Sequence, residues 1–390
     1  MNKFLRIYKS KKERDETYMK KENVLIKFLK RESVLVIATI LAIISMFFVT
    51  PSKAYMEYID WRVLGILLSL MIVTGGLQKN GFFDAIGTAL LKKTKTDRQL
   101  SVILVVLCFV SGMFITNDVA LITFVPFAIL IMKKCGQEKL LVPIIVLQTI
   151  GANLGSMLTP IGNPQNLYLY SVSQMSIAEF VKVMFPYTIV AGAILIFAAA
   201  IFAGKKEPIE VSLEKVQTNR IKNSMYMIMF VLCMSVVLHF VEWYIVLGLV
   251  VLLVFYMDRE VLWKVDYCLL LTFISFFVFT GNLGKIPWIT ETLQNLVEGR
   301  EIIVSIVASQ VISNVPASLL LSGFTNNYEA LLIGVNLGGM GTLIASMASL
   351  ISYKLFAKEY GDKKGKYMAY FTIANIIGLI ILCTEAYILR

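Results

Sequence analysis

Charge is scarce in this chain: of 390 residues only 16% are Asp, Glu, Lys or Arg, against 57% hydrophobic. That balance excludes an ordinary soluble domain and reads as a polytopic membrane protein. Histidine is scarcer still, with His239 alone, near the outer end of its apolar run. The five cysteines, Cys108, Cys135, Cys233, Cys268 and Cys383, are scattered without a CxxC pair, which argues against a disulfide framework and a zinc site. An intramembrane enzyme needs a nucleophile–base pair or a cluster of metal ligands, and these residues offer neither. A G-x-x-x-x-G-K-[ST] stretch is missing too, so nucleotide hydrolysis is not the expected energy source. The absences argue against an enzyme and leave an ion gradient, with Na+ or H+ as the coupling ion and no other cofactor, as the expected energy source for any work across the membrane.

What charge there is leans basic, with 37 Lys and Arg against 26 Asp and Glu, for a net charge of +11. The lysines gather in short loops between apolar runs, so positive-inside topology explains them better than nucleic-acid binding. Residues 1–31 hold eleven Lys and Arg against four acids and are expected to stay in the cytoplasm. They suit either an amphipathic helix on anionic headgroups or an unstructured tail. The stretch is too long and too charged for the n-region of a cleaved signal, so the first apolar run is expected to be a retained membrane helix.

The apolar runs give an order of elements. Val34 to Thr50 and Trp61 to Leu77 each come close to the ~20 residues a spanning helix needs. Phe82 to Leu91 is too short to cross and reads as an interfacial helix. Leu100 to Met132 is broken by Thr116-Asn117-Asp118 and flanked by lysines at both ends, as a re-entrant hairpin requires and a single span forbids. A broken span follows from Leu140, then a return through Val181 to Ala203. Residues 204–222 form a basic cytoplasmic linker, and 223–242 a connecting helix. In the second half come Trp243 to Met257, Tyr267 to Thr280, an interfacial helix at Trp288 to Val297, and a second hairpin, Ile302 to Phe324, broken at Ser313-Asn314-Val315-Pro316. A second broken span from Leu331 and a last span, Tyr367 to Leu389, complete the chain. The predicted architecture is an all-α polytopic membrane protein, with a basic segment 1–32 and two inverted-topology repeats, 33–203 and 243–390, each with a re-entrant hairpin and a broken transmembrane helix. It is placed in the cytoplasmic membrane, N-terminus inside and C-terminus outside.

The two breaks resemble each other. Gly151, Asn153, Leu154, Gly155, Met157, Thr159 and Ile161 recur as Gly334, Asn336, Leu337, Gly338, Met340, Thr342 and Ile344. Unwound backbone survives at membrane depth only where protein buries it or a watery cavity solvates it, so the breaks and the hairpin tips are expected to meet around one polar site. Close packing of small residues explains any one of these glycines. It does not account for Asn153, Asn163, Gln165 and Asn166 beside two prolines. Unwound carbonyls and amides suit a desolvated cation, for which Asp118, Asn153, Gly155, Thr159, Asn336 and Gly338 are the candidates. Half-helix N-termini suit an anion, and there the candidates are Asn163, Pro164, Asn166 and Thr342. An ionised Asp118 would balance a cation, and a protonated one would carry H+. Alternatively, it lies at the interface and caps the helix that follows.

The runs ITNDVALITFVPF (Ile115 to Phe127), TPIGNPQN (Thr159 to Asn166) and SNVPASLLL (Ser313 to Leu321) resemble the ion transporter superfamily. That group includes arsenite/antimonite permeases, D-type sodium/proton antiporters, and citrate-type and divalent anion:sodium symporters. The resemblance implies a secondary transporter and a homodimer. It also implies that Thr116, Asn117, Ser313 and Asn314 take the places of tip residues that meet a carboxylate and sodium in the divalent anion branch. The third tip position departs from that branch, being Asp118 and Val315 here, and an acid facing the substrate would repel a dicarboxylate. The Asn-Asp pair is more similar to the arsenite-permease and antiporter branches, and IGNPQN to anion permeases of unassigned substrate. The expected cargo is a small anion or oxyanion coupled to Na+ or H+, with Na+/H+ antiport or arsenite-type efflux as the alternative.

Overall fold

In a computed structural model, residues 32–92, 94–203 and 217–389 are described. The basic N-terminal segment and most of the linker lie outside them. Among the described residues six helices are long and apolar enough to cross a membrane, and a bent pair, Tyr267–Leu283 with Pro287–Val297 turned 105° from it, makes a seventh. Ser33–Met46 and Trp243–Asp258 are apolar but shorter. The first ends four residues earlier than its apolar run suggests, where Phe47 and Phe48 turn out ahead of Pro51. Arg220–Val237 begins inside the stretch read as linker. Asn219 accepts a bond from the Lys222 backbone amide at 3.1 Å and starts the helix ahead of the apolar residues.

Ten helices build the centre, in two runs of five. The first run is α1 (Asp97–Phe114), α2 (Asn117–Lys134), α3 (Leu141–Gly155), α4 (Pro164–Ser173) and α5 (Ile177–Phe202). The second is α6 (Glu301–Ile312), α7 (Asn314–Leu321), α8 (Tyr328–Gly338), α9 (Met347–Glu359) and α10 (Lys364–Ile388).

The chain doubles back between α1 and α2. The Gln148 side-chain amide on α3 donates to the carbonyl of Leu104 at 3.0 Å and of Phe124 at 3.5 Å. On one straight helix those carbonyls would stand about 30 Å apart. Between α6 and α7 it doubles back again, because Thr325 reaches the Glu301 carboxylate at 3.1 Å. In both runs the third and fourth helices belong to a broken element. α3 passes through a 3-10 turn, Ser156–Leu158, before α4 starts at Pro164, and α8 stops at Gly338, eight residues before α9.

Every residue of α3 is buried. Its side chains are mostly apolar all round, as suits a helix at the centre of a bundle, with Gln148, Thr149 and Asn153 as buried polar exceptions. Around the central helices the shorter ones exchange partners between halves: Ser33–Met46 packs along Tyr267–Leu283, and Trp243–Asp258 along Trp61–Lys79. Trp61–Lys79 is clipped at both ends. Arg62 bonds the His239 ring at 2.7 Å and the Val236 carbonyl at 2.8 Å, while Lys79 pairs with Asp258 and, at 2.8 Å, with Glu260. The Lys79 ammonium holds the Glu260 carboxyl below its usual range.

Candidate functional site

Gly151 and Gly155 on α3 let that helix lie directly on α1. A Cβ at Gly155 would run into the Phe109 carbonyl, and one at Gly151 would stand 3.5 Å from the carbonyl of Val105. In the second run Gly334 and Gly338 lie against Ile302 and Ile306 in the same way. One spacing, 183 residues, relates the glycines, and another, 197 residues, relates the helix positions they touch. Close approach fixes how deep each broken helix sits, and so where its unwound stretch falls.

The hairpin tips are then tied to those stretches by matching bonds. The Asn117 backbone amide donates to the Gly162 carbonyl at 3.1 Å, and that of Asn314 to Ala345 at 2.9 Å. The Thr159 hydroxyl donates to the Met113 carbonyl at 2.5 Å, and Thr342 to the carbonyl of Gln310 at 3.3 Å. Gly162 and Ala345, and likewise Thr159 and Thr342, stand 183 residues apart.

Between halves the bonding is reciprocal. The Asn153 side-chain amide donates to Ser349 at 3.0 Å, and that of Asn336 to the Asn166 side-chain carbonyl at 2.7 Å. Asn153 and Asn336 share the 183-residue spacing, as do Asn166 and Ser349. Asn153 also accepts from Asn117 at 2.9 Å and from Ser346 at 3.0 Å.

Four helices, α2, α4, α7 and α9, begin at one cavity of about 70 Å³. Asn117 and Asp118, Asn163 to Gln165, Ser313 to Pro316, and Ser346 to Ala348 line it. None of the four N-caps, Thr116, Asn163, Ser313 and Ser346, closes its own helix with a side-chain bond. The positive ends of four helix dipoles therefore face a small shared space. Two buried amide atoms there, Asn163 Oδ1 and Gln165 Nε2, have no partner within the protein. A buried donor or acceptor left bare is costly, so the cavity suits a polar occupant. It is also acidic on one side, where Asp118 and Asp266 reach it. Asp118 is not a cap: Thr116 holds that position, and Asp118 sits in the first turn of α2 with its backbone amide bonded to Asn117 Oδ1 at 2.9 Å.

Of the residues singled out from the sequence, Asn117, Asp118, Asn163, Pro164, Ser313 and Asn314 line the cavity. Thr116 caps α2 just behind it. Asn153, Asn166 and Asn336 form the bonds between halves, and Gly155 and Gly338 are packing surfaces. Thr159 and Thr342 fasten the breaks to the hairpins. Three contributors were not foreseen. Ser346 sits 183 residues after Asn163, two places beyond the point where the matched repeat stops. Asp266 carries no motif, and its side chain caps Tyr267–Leu283 with a bond from the Leu269 amide at 3.0 Å. Gln310 donates to the carbonyls of Gly338 and Met340 at 3.0 and 2.9 Å and satisfies the second break. Its counterpart at the 197-residue spacing is Met113, so no repeat announces it.

A larger polar recess of about 1220 Å³ lies at the end of the fold away from the lysine-rich loops. Glu179, Glu298, Glu301 and Glu329 face it, and so does Ser322, whose hydroxyl bonds the Tyr168 hydroxyl at 2.8 Å.

Broken helices meeting hairpin tips around a polar cavity define a membrane transporter. Residues 24–328 match the citrate transporter family, within the superfamily of ArsB- and NhaD-like permeases, and the chain belongs to it. An uncharacterised transporter of Methanocaldococcus jannaschii is 32% identical over 87% of this chain and 92% of its own length. The inner membrane protein YbiR of Escherichia coli is 32% identical over 80% of this chain and 84% of its own. A silicon efflux transporter of rice, Oryza sativa, is 30% identical over 35% of this chain and 28% of its own.

Proposed function

We propose that the protein is a secondary transporter that moves a small oxyanion across the cytoplasmic membrane, coupled to Na+ or H+. The observation that carries this reading is the convergence of four uncapped helix N-termini, with the bare Gln165 Nε2 donor, on one 70 Å³ cavity. That volume is far below the ~300 Å³ of ordinary small-molecule pockets, so it suits an ion of a few heavy atoms better than a tricarboxylate. The silicon efflux transporter of rice and a putative transporter arsB of Dictyostelium discoideum, 26% identical over 35% of this chain, support a small inorganic cargo. Gln165 Nε2 and the Asn314 side-chain amide, at the helix N-termini, would hold the anion, and Asp118 the coupling cation, as Na+ or as a proton. No further cofactor is needed. The paired bonds of the two runs support an inverted repeat, in which the hairpin-bearing parts move as rigid bodies against the outer helices and open the site to each side in turn.

Asp118, Asp266 and the acidic recess favour a second reading, Na+/H+ antiport without an anion. Proteoliposomes separate the two. On the first reading, an arsenite, silicate or phosphate gradient drives flux that depends on Na+ or pH. Release of protons on Na+ addition alone, with no anion present, would overturn it in favour of antiport.

A further inference from the structure

An apolar cavity of about 360 Å³ lies apart from the transport site. It lies between α3, α5 and α10, and almost all of its wall is carbon. One end is marked by Pro143, Phe202 and Tyr370, the other by Leu154 and Met340. Leu154 adjoins the break after α3, and Met340 lies within the break after α8. Along α3 the wall runs from Pro143 to Leu154, roughly 17 Å of helix. That is about half of the ~30 Å hydrocarbon core, the depth of one leaflet. Ile373 and Ile377 on its rim are 60% and 52% exposed, so the cavity opens sideways to the bilayer.

The first end lies at the basic membrane face. Lys363 and Lys364 lead into α10, and the Lys366 ammonium stands 5.8 Å from the centre of the Tyr370 ring. Lys364 and Lys366 are exposed. An occupant that fits is therefore one leaflet long, apolar along its length and negative at the end next to Lys366.

We propose that this cavity holds one acyl chain of an anionic phospholipid from the lysine-rich leaflet, with the headgroup phosphate at Lys366. The chain reaches from the membrane surface to the level of both helix breaks and packs against Leu154 and Met340, the apolar neighbours of the two half-sites. Lipid composition thereby bears on how firmly the broken helices are held.

The test is native mass spectrometry of detergent-purified, delipidated protein titrated with phosphatidylglycerol or phosphatidylcholine. One phosphatidylglycerol is expected to bind about fivefold more tightly than phosphatidylcholine, the preference a single surface lysine supplies. Ala198→Trp, which fills the cavity, removes the bound lipid of either kind. Lys366→Gln leaves binding of the chain but brings the two headgroups within about twofold of each other. Lys366→Gln alters an exposed side chain and keeps the proposal testable should Ala198→Trp fail to fold. Equal retention of the two lipids by the unaltered protein, or undiminished retention by a folded Ala198→Trp, overturns it. So does a second copy in the cavity, seen as dimers cross-linked through Ile373→Cys in membranes of either lipid.

Discussion

Thr116-Asn117-Asp118 and Ser313-Asn314-Val315 hang from the same backbone bond, each tip donating to the unwound stretch of its own half, yet their conformations differ. Thr116 has φ −62° and ψ 146°, an ordinary extended geometry, and is followed two places on by an acid. Ser313 has φ 74° and ψ 154°, which L-residues rarely adopt, and is followed two places on by an apolar residue. Charge is concentrated in one tip and backbone strain in the other. On the function proposed above, the first tip would handle the coupling cation and the second would shape the cavity.

The sharpest way to break that division is Asp118→Asn. Coupled transport in proteoliposomes is expected to fall about tenfold or more, while Val315→Thr changes it by less than about threefold. Similar losses in the two would sink the asymmetry. The glycine contacts come next. Gly155→Ala meets the Phe109 main-chain carbonyl, which cannot move without the helix, whereas Gly338→Ala meets chiefly the Ser309 side chain. Thermal unfolding in detergent should show a cost of about 3 kcal/mol for the first and about 1 kcal/mol for the second. The asparagine pair separates less. Asn153 has side-chain bonds to Asn117, Ser346 and Ser349, and Asn336 has one to Asn166 and one to the Leu332 carbonyl. Asn153→Ala is expected to cost about 2 kcal/mol and Asn336→Ala about 1 kcal/mol. Smallest is Ser313→Gly, which relieves the positive φ and should raise stability by about 1 kcal/mol, where Thr116→Gly lowers it. A destabilised Ser313→Gly would mean that its 3.3 Å bond to Ala345 outweighs the strain.

Much of this architecture was legible in the residues. Apolar runs of membrane length bounded by lysines give the helices, because a bilayer imposes one length and one sign of flank. Thr116 to Asp118 and Ser313 to Pro316 give the tips, because polar residues are too costly in lipid without a reason. What each polar atom bonds was not legible. Thr159 and Thr342 look like ligands in the sequence, but their hydroxyls are spent on hairpin carbonyls at Met113 and Gln310. Asn166 looks like part of the binding turn, but its side chain faces Ser156, Thr159 and Asn336. Composition identifies an oxygen or an amide. Only the packing of α3 on α1, through Gly151 and Gly155, decides which neighbour it meets.

The bond from Asn153 to Ser349 spans 196 residues. A ribosome adding roughly 5–20 residues per second needs about 10–40 s to supply that partner after Asn153 has entered the membrane. During that interval the first half waits in lipid with its central asparagine lacking the hydroxyl it will finally hold. Assembly of the site is therefore a late event, completed only when the last fifth of the chain arrives.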